Sequence, residues 1–532
     1  MRKYRFKAPT IQKFGHYNKA LGLVAALIPL ALSSPLYASD EVIGQSVSVV
    51  RDYRQANERT ILEDYIKLLS MPNDAAIAGE VETNAAYLMD QLEARGFSTQ
   101  LLKAGKGAPS VFAARDYKGA NKTLTFYIHY DGQSVDKSNW ANDPFEPTMR
   151  DGSLLEGAKV VDWRADQGAI PENWRLYARS ASDDKAPIIS MFTVLDAFEK
   201  ANITPSVNIR FFLEGEEEKG SPTLRALMEE NKDLLKSDFW VFLDGPQDQR
   251  GSPRTVMGVR GSMGGEITVY GPNSGLHSGH YGNFAPNPIT MMAHLLSSMR
   301  DENGHVKVKG FYDGVQSIDA DTQKLIDAIP DADDAIQKAI GAGRVESKGM
   351  RYEATHLIPA LNFQGITSGN TGAKARNIIE PKATTAIGVR LVPGQTPEGV
   401  SSAIDAHIVS QGYHLVRTDP DLETRMTHEK VAKVVWRSGY KSVRTSENNP
   451  YAQRLNEIMA DVTEGKNLIY PIMGGSLPLA HITDVLSVPL VILPIANQDN
   501  SQHAANENIV IGNLWRGMEY YAAILAGFDI TN

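Results

Sequence analysis

The chain has 532 residues, 42% of them hydrophobic and 22% charged, which is ample for more than one globular core and unlike a disordered or fibrous composition. A formal net charge of -9 offers no attraction for phosphate backbones, so nucleic acid is not an expected partner. With no cysteine there is no disulfide framework and no thiolate ligand, so any metal must be held by His, Asp and Glu.

The basic start MRKYRFK precedes an apolar run from Ala20 to Leu32, and the small and turn-forming residues SSPLYASD follow. That order reads as a signal peptide over residues 1–38, cleaved near Ala38, because the run is shorter than the roughly 20 residues a bilayer span needs. Leu36 stands where a small residue is usual. Export to a periplasm or beyond is therefore expected, with no stable membrane span once the leader is removed.

Arg54 to Arg95 carries helical spacing, with Ile61, Tyr65, Leu68 and Leu69, then Leu88 and Leu92, as apolar positions. Strand-like runs follow at 123–131, 206–218, 238–245 and 488–498, each a short apolar run ending in polar residues. Between the first two, Ile188, Met191, Phe192, Leu195 and Phe198 mark one face of a helix entered at Pro187. Strands alternating with helices predict an α/β domain with a mostly parallel central sheet. The texture changes at about 259, where GGEITVYGP, LIPALNFQGIT and NIIEPKATTAIGVRLVPG read as alternating strands and TPEGVSSAIDAHIVSQG as an amphipathic helix. The expected organisation is a discontinuous α/β domain, 39–258 and 446–532, interrupted by an α+β insertion over 259–445. The Asp- and Ala-rich tract from Asp319 to Ala342 reads as helical and carries no assigned chemistry.

In an open α/β sheet, ligands gather at the carboxyl ends of the strands. The residues that fall there are His129 and Asp131, then Glu216, Glu217 and Glu218, then Asp244, then His503; Asp183 and Asp184 precede the helix at Pro187. Each alone has an ordinary explanation as a solvated or structural group. Together they are a concentration of hard ligands. Two divalent ions roughly 3.5 to 4 Å apart need one carboxylate that gives an oxygen to each, plus a His and a carboxylate per ion. A further carboxylate is needed to move the proton of the attacking water, and neighbouring Glu217 and Glu218 can divide those two tasks.

In order, HYDGQ, WANDPFEP, ARSASDDK, EGEEEKGS, LDG, LHSGHYGNFAPNP, GFYD, GGSLP and HAANE resemble the motifs of the dinuclear zinc metallopeptidases that include carnosinase, aminoacylase and bacterial glutamate carboxypeptidase. The resemblance covers most of the chain after the leader. It implies that Asp183 bridges two ions, with Glu218 and His503 on one and His129 and Asp244 on the other. It also implies Glu217 as general base acting on a water shared by the ions, and Asp131 as the carboxylate that fixes the ring of His129. A non-proline cis peptide before Asp184 is implied as well. The insertion resembles the family's lid and dimerisation domain, which predicts a homodimer in which His277 reaches the partner's site and stabilises the oxyanion. Asn287, Arg390, Gly475 and Ser476 match substrate-contacting positions, Arg390 suiting a carboxylate through its bidentate fork. Zinc is the expected metal, with manganese or cobalt compatible with the same ligands.

Several positions depart from the pattern. Ser180 and Ala186 stand where glycines are usual, Ser134 replaces a proline, and no arginine precedes GGSLP as it does in carnosinase-like members. About twenty extra residues, Leu154 to Asn173, are expected near the site entrance. His280, Glu216 and Asp499 are expected to be solvated neighbours of the site. The expected activity is hydrolysis of an amide bond in a dipeptide or small peptide, of dipeptidase or carboxypeptidase type. Hydrolysis of N-acyl amino acids is the alternative within enzymes, and an inactive metal-binding dimer the alternative outside them.

Overall fold

Alternation of large apolar side chains within short strands builds the centre of the molecule. In Thr123–His129, Leu124, Phe126 and Ile128 enter one core while Tyr127 enters another; in Phe239–Phe242, Phe239 and Val241 divide from Trp240 and Phe242 in the same way. Such strands are apolar on both faces and need cover on both. The structure, a computed structural model, describes residues 40–165 and 168–530, so the leader expected over 1–38 lies outside the described residues.

In chain order the main strands are β1 (Ser98–Leu102), β2 (Ser110–Arg115), β3 (Thr123–His129), β4 (Asn208–Glu214), β5 (Phe239–Phe242), β6 (Arg254–Val256), β7 (Gly261–Tyr270), β8 (Ala360–Thr367), β9 (Lys382–Leu391), β10 (His414–Val416), β11 (Val431–Trp436), β12 (Leu468–Tyr470) and β13 (Leu490–Ile492). Eight of them form one sheet in the order β1-β2-β4-β3-β5-β13-β6-β12. Pairing is parallel for β3 with β4 and β5, for β5 with β13 and for β6 with β12. It is antiparallel at the β1-β2-β4 edge and between β13 and β6. One face is covered by α1 (Asp40–Leu69), α2 (Glu80–Ala94), α3 (Lys185–Ala201) and the helix Ile511–Gly527; the other by Leu224–Glu230 and Ala480–Leu486.

Between β6 and β12 the chain forms a second, five-stranded sheet, β8-β9-β7-β11-β10, antiparallel except for the β10-β11 pair. Its own core joins Ile267, Val269, Ile387 and Val389 to the helices Pro288–Met299 and Pro397–Ser410. The architecture is therefore the expected α/β sheet with an inserted, mainly antiparallel unit.

The helical spacing over Arg54–Arg95 forms two helices, and α1 extends back to Asp40; it is interrupted at Asn57, whose side-chain amide donates to Tyr53 O at 2.7 Å. The segment Leu154–Asn173 is tied to α1: Trp163 and Ile170 bury in the main core, Arg164 Nη2 bonds Glu63 at 2.8 Å, and Ile170 N donates to Glu58 at 2.8 Å. Trp163 and Ile170 are thus covered by the main core, while Leu155 and Val160 stay exposed. Among the described residues, no helix is long and apolar enough to cross a membrane.

Candidate metal centre

Parallel pairing sets the carboxyl ends of β3, β4 and β5 side by side, and the polar residues that end each apolar run converge there. His129 closes β3, Glu217 and Glu218 open a short turn just after β4, and Asp244 follows β5 by two residues. Asp183 and Asp184 immediately precede α3, and the peptide bond joining them is cis. His503 comes from the loop after β13 and adopts φ 61°, a left-handed conformation that costs a non-glycine residue about 1–2 kcal/mol.

These side chains form two clusters that share one residue. His129, Asp183 and Asp244 offer ligand atoms within 4.8 Å of one another, as do Asp183, Glu218 and His503. His129 Nε2 stands 2.9 Å from Asp183 Oδ1, while His503 Nε2 stands 3.1 Å from Asp183 Oδ2 and 3.1 Å from Glu218 Oε2. Asp183 thus turns one oxygen to each cluster. Asp183 Oδ2 is buried with no hydrogen bond despite the nearby imidazole. Proximity without bond alignment is how two ligands of a common cation face each other.

Electrostatics point the same way. Burial, then repulsion from Asp183, pushes Asp244 up to about 7. Glu217 is raised well above the usual carboxylate range, by burial first and then by Asp244, Glu218 and Asp183, against the opposing effect of His129. Burial alone would depress His129, but bonds to Asp131 and Asp183 hold it well above the usual imidazole range. His503 is pushed up to about 10 by Asp183 and Glu218. Protons are needed here to balance crowded carboxylates, which is the condition in which divalent cations bind in their place. The donor set of two imidazoles and three carboxylates suits zinc, manganese or cobalt.

A buried scaffold holds these candidate ligands. Asp131 Oδ1 lies 3.4 Å from His129 Nδ1, and the Asp131 carboxylate accepts the amides of Glu217 (3.2 Å) and Glu218 (3.1 Å). Asp131 therefore couples the two strand ends. Glu507, to which the sequence reading gave no role, does the same for the turn before α3. Its Oε1 accepts the amides of Ser182 and Asp183 at 2.9 and 3.0 Å, and its Oε2 accepts the amide of Ser180 at 3.0 Å and Arg179 Nη1 at 2.6 Å. Ser180, at a position where the resemblance expects glycine, has φ 61°, and its Oγ accepts Asn73 Nδ2 at 2.9 Å. Lys185, buried and thereby pushed down to about 7, donates to Leu68 O, Met71 O and Asn84 Oδ1 and pins the start of α3 to α1 and α2. Replacing Glu507 with alanine leaves Arg179 buried without its carboxylate. The expected loss is about 3–5 kcal/mol of stability, read as a lower denaturation midpoint.

The remaining expected residues fall elsewhere. Arg390 ends β9 exposed, with Nη1 bonding Ser476 Oγ at 2.7 Å, so Arg390 and the Gly475-Ser476 turn are joined. Tyr440, not anticipated from sequence, feels the charges of both Arg390 and Glu217. His277 is exposed, accepts Gly279 N at 3.0 Å and packs on His280 with ring centroids 4.6 Å apart. Asn287 caps the helix Pro288–Met299 through Ile289 N at 2.9 Å. Glu216 is not solvated: it is buried, accepting Ala108 N at 2.9 Å and Thr223 N at 3.0 Å. Asp499 is held by Arg175 at 2.8 Å.

A family model described as peptidase family M20/M25/M40 matches residues 125–527. The Cys-Gly metallodipeptidase of Candida albicans is 25% identical over 474 residues, 86% of this chain and 91% of its own. The Beta-Ala-His dipeptidase of Rattus norvegicus is 24% identical over 457 residues, 84% and 85% of the two chains. Among solved structures, an M20 family metallo-carboxypeptidase from Sulfolobus solfataricus has a TM-score of 0.71 at 25% identity, covering 88% of this chain and 99% of that one. Human carnosine dipeptidase 1 shares the fold, with a TM-score of 0.68 at 20% identity over 91% and 98% of the chains. The family match runs through both sheets and includes His129, Asp183, Glu218, Asp244 and His503. The chain belongs to peptidase family M20/M25/M40 and is a hydrolase of that metallopeptidase family.

Proposed function

We propose that this chain hydrolyses the peptide bond of dipeptides or other small peptides, using two divalent cations, zinc by preference, held by His129, Asp183, Glu218, Asp244 and His503. The observation that carries the proposal is the single carboxylate of Asp183 turned to two ligand clusters, with raised, half-buried Glu217 beside them. The relatives named as dipeptidases favour a peptide over an N-acyl amino acid.

When bound, such cations polarise the scissile carbonyl and lower the pKa of water towards about 7. The chain's own residues supply the rest. Glu217 takes the proton of the attacking water and returns it to the leaving amine, a shuttle suited to a carboxylate whose affinity for protons is raised. Asp131 keeps His129, Glu217 and Glu218 in register through its three contacts. Arg390, beside Ser476, receives the substrate's free carboxylate, with Asn287 as a further substrate contact. His277 serves the oxyanion of the partner subunit's site, which accounts for its exposure on one chain.

The homodimer proposed here forms through the insertion, bounded at 259–445. Exposed Phe284, Ile289, Ile366 and Ile378 on that unit support it, as does β8 lying at the edge of its sheet. Export to the periplasm or beyond is proposed from the basic start and apolar run.

The test is a panel of dipeptides, tripeptides and N-acyl amino acids given to zinc-loaded protein with and without chelator. Dipeptide hydrolysis abolished by chelator is the expected result; turnover confined to N-acyl amino acids, or indifferent to chelator, overturns the proposal. Within the panel, Arg390→Ala is expected to raise KM for free-carboxylate dipeptides about tenfold to a hundredfold, and to leave peptides amidated at that end unaffected, as loss of a charge-assisted fork requires.

A further inference from the structure

Beside the Gly474-Gly475 turn lies a cavity of about 330 Å³ containing none of the proposed metal ligands. Its walls include Arg250, Arg254, Arg260, Tyr352, His356 and Gly474. The acids on the wall already have partners: Asp248 receives Arg250 at 2.9 and 2.7 Å, and Glu353 receives Arg351 at 3.0 Å. Arg254 and Arg260 do not have such partners. Arg254 donates to Pro246 O at 3.0 Å and lies over the ring of Tyr470, and Arg260 donates to Gly474 O at 2.9 Å; among the described residues, neither forms an ion pair. The same wall carries His356, whose Nδ1 is buried without a hydrogen bond. A Cβ on Gly474 would come within 2.8 Å of His356 Nε2, so any larger residue in the turn would have to displace that ring.

Two half-buried guanidinium groups that form no ion pair are costly unless an anion completes them; Asp248, already bonded to Arg250, acts on Arg254 only through its field. Burial holds Arg254 below its ordinary value, and burial followed by Arg390 pushes Arg260 down to about 10. Burial and then these two arginines push His356 down to about 4, leaving it neutral. A cavity of this size accepts a ligand of several heavy atoms, and planar forks suit a carboxylate. The same turn carries Ser476, which Arg390 holds, so occupancy of the cavity bears on the substrate end of the proposed site.

We propose that this cavity is a second anion site, in which Arg254 and Arg260 bind a carboxylate group. That group belongs either to a free dicarboxylate or to an acidic side chain of the peptide substrate. The substrate case rests on the proposed peptidase activity; the free-anion case does not.

Calorimetric titration of the zinc-loaded protein with succinate, and separately with uncharged succinamide, tests the first source. Arg254→Gln and Arg254→Lys serve as variants, and thermal unfolding verifies that each is folded. Succinate binding that succinamide does not reproduce, weakened at least about tenfold in Arg254→Gln and restored in Arg254→Lys, establishes a free-anion site. The second source is tested by kcat/KM for dipeptides ending in Asp or Glu against their Asn or Gln counterparts. A preference of about tenfold for the acidic member, lost in Arg254→Gln, establishes that the substrate supplies the carboxylate. Succinate binding that Arg254→Gln leaves unchanged, as capture by the metal centre would give, overturns the proposal unless the acidic preference is found. Absence of both succinate binding and acidic preference also overturns it. Because the calorimetry needs no turnover, its outcome is separable from failure of the peptidase proposal.

Discussion

Glu217→Gln is expected to lower kcat by about 10²- to 10⁴-fold, the range associated with loss of a general acid-base group. KM and metal content are expected to stay within a few-fold of the wild type, because Glu217 belongs to neither of the two ligand clusters. The substitution keeps the side chain's size beside Asp244 and removes only its capacity to carry a proton. Stability should not fall, since a crowded, half-buried carboxylate held well above its usual range is itself a burden on the folded state. Metal analysis with steady-state kinetics checks both halves. A fall in kcat accompanied by loss of metal would move Glu217 from proton carrier to ligand.

Asp183→Asn is expected to be more severe. Each oxygen of Asp183 serves a different cluster, so one substitution weakens both. Loss of a supporting residue near a metal typically costs 10- to 100-fold in affinity or activity, and loss of a shared ligand should exceed about 100-fold. Fold is preserved because Glu507 grips the backbone of this turn, not the Asp183 side chain. Asp244→Asn, by contrast, touches one cluster alone and should leave the Glu218-His503 pair able to hold an ion with Asp183. Comparison of metal content in the two variants separates a shared ligand from two independent sites.

The two side-chain clusters that could hold cations were legible because they obey a sequence-level rule. His129 and Asp244 end or follow runs of buried residues, and in a parallel sheet those ends share one rim. The order of motifs supplied Asp183 and His503, which no periodicity would have joined. Glu507 was hidden: it reads as one acid in a polar loop, and only folding brings its carboxylate onto the 179–183 turn. Glu216 was misjudged because three consecutive glutamates look wet, whereas the amides of Ala108 and Thr223 satisfy the first in the interior. Residues 40–53 showed little helical signal because of their Val and Ser content, and packing on α3 and the C-terminal helix overrides that weak propensity. Arg254 and Arg260 lie about a hundred residues before His356 in the chain, and the three gain meaning only as walls of one cavity.

The central claim is that two cations share Asp183. Crystals of the zinc-loaded protein, measured for anomalous scattering at the zinc edge, test it most directly. Two peaks about 3.5–4 Å apart are predicted, one among His129, Asp183 and Asp244 and the other among Asp183, Glu218 and His503. A single peak at full zinc loading, or peaks away from Asp183, would contradict it.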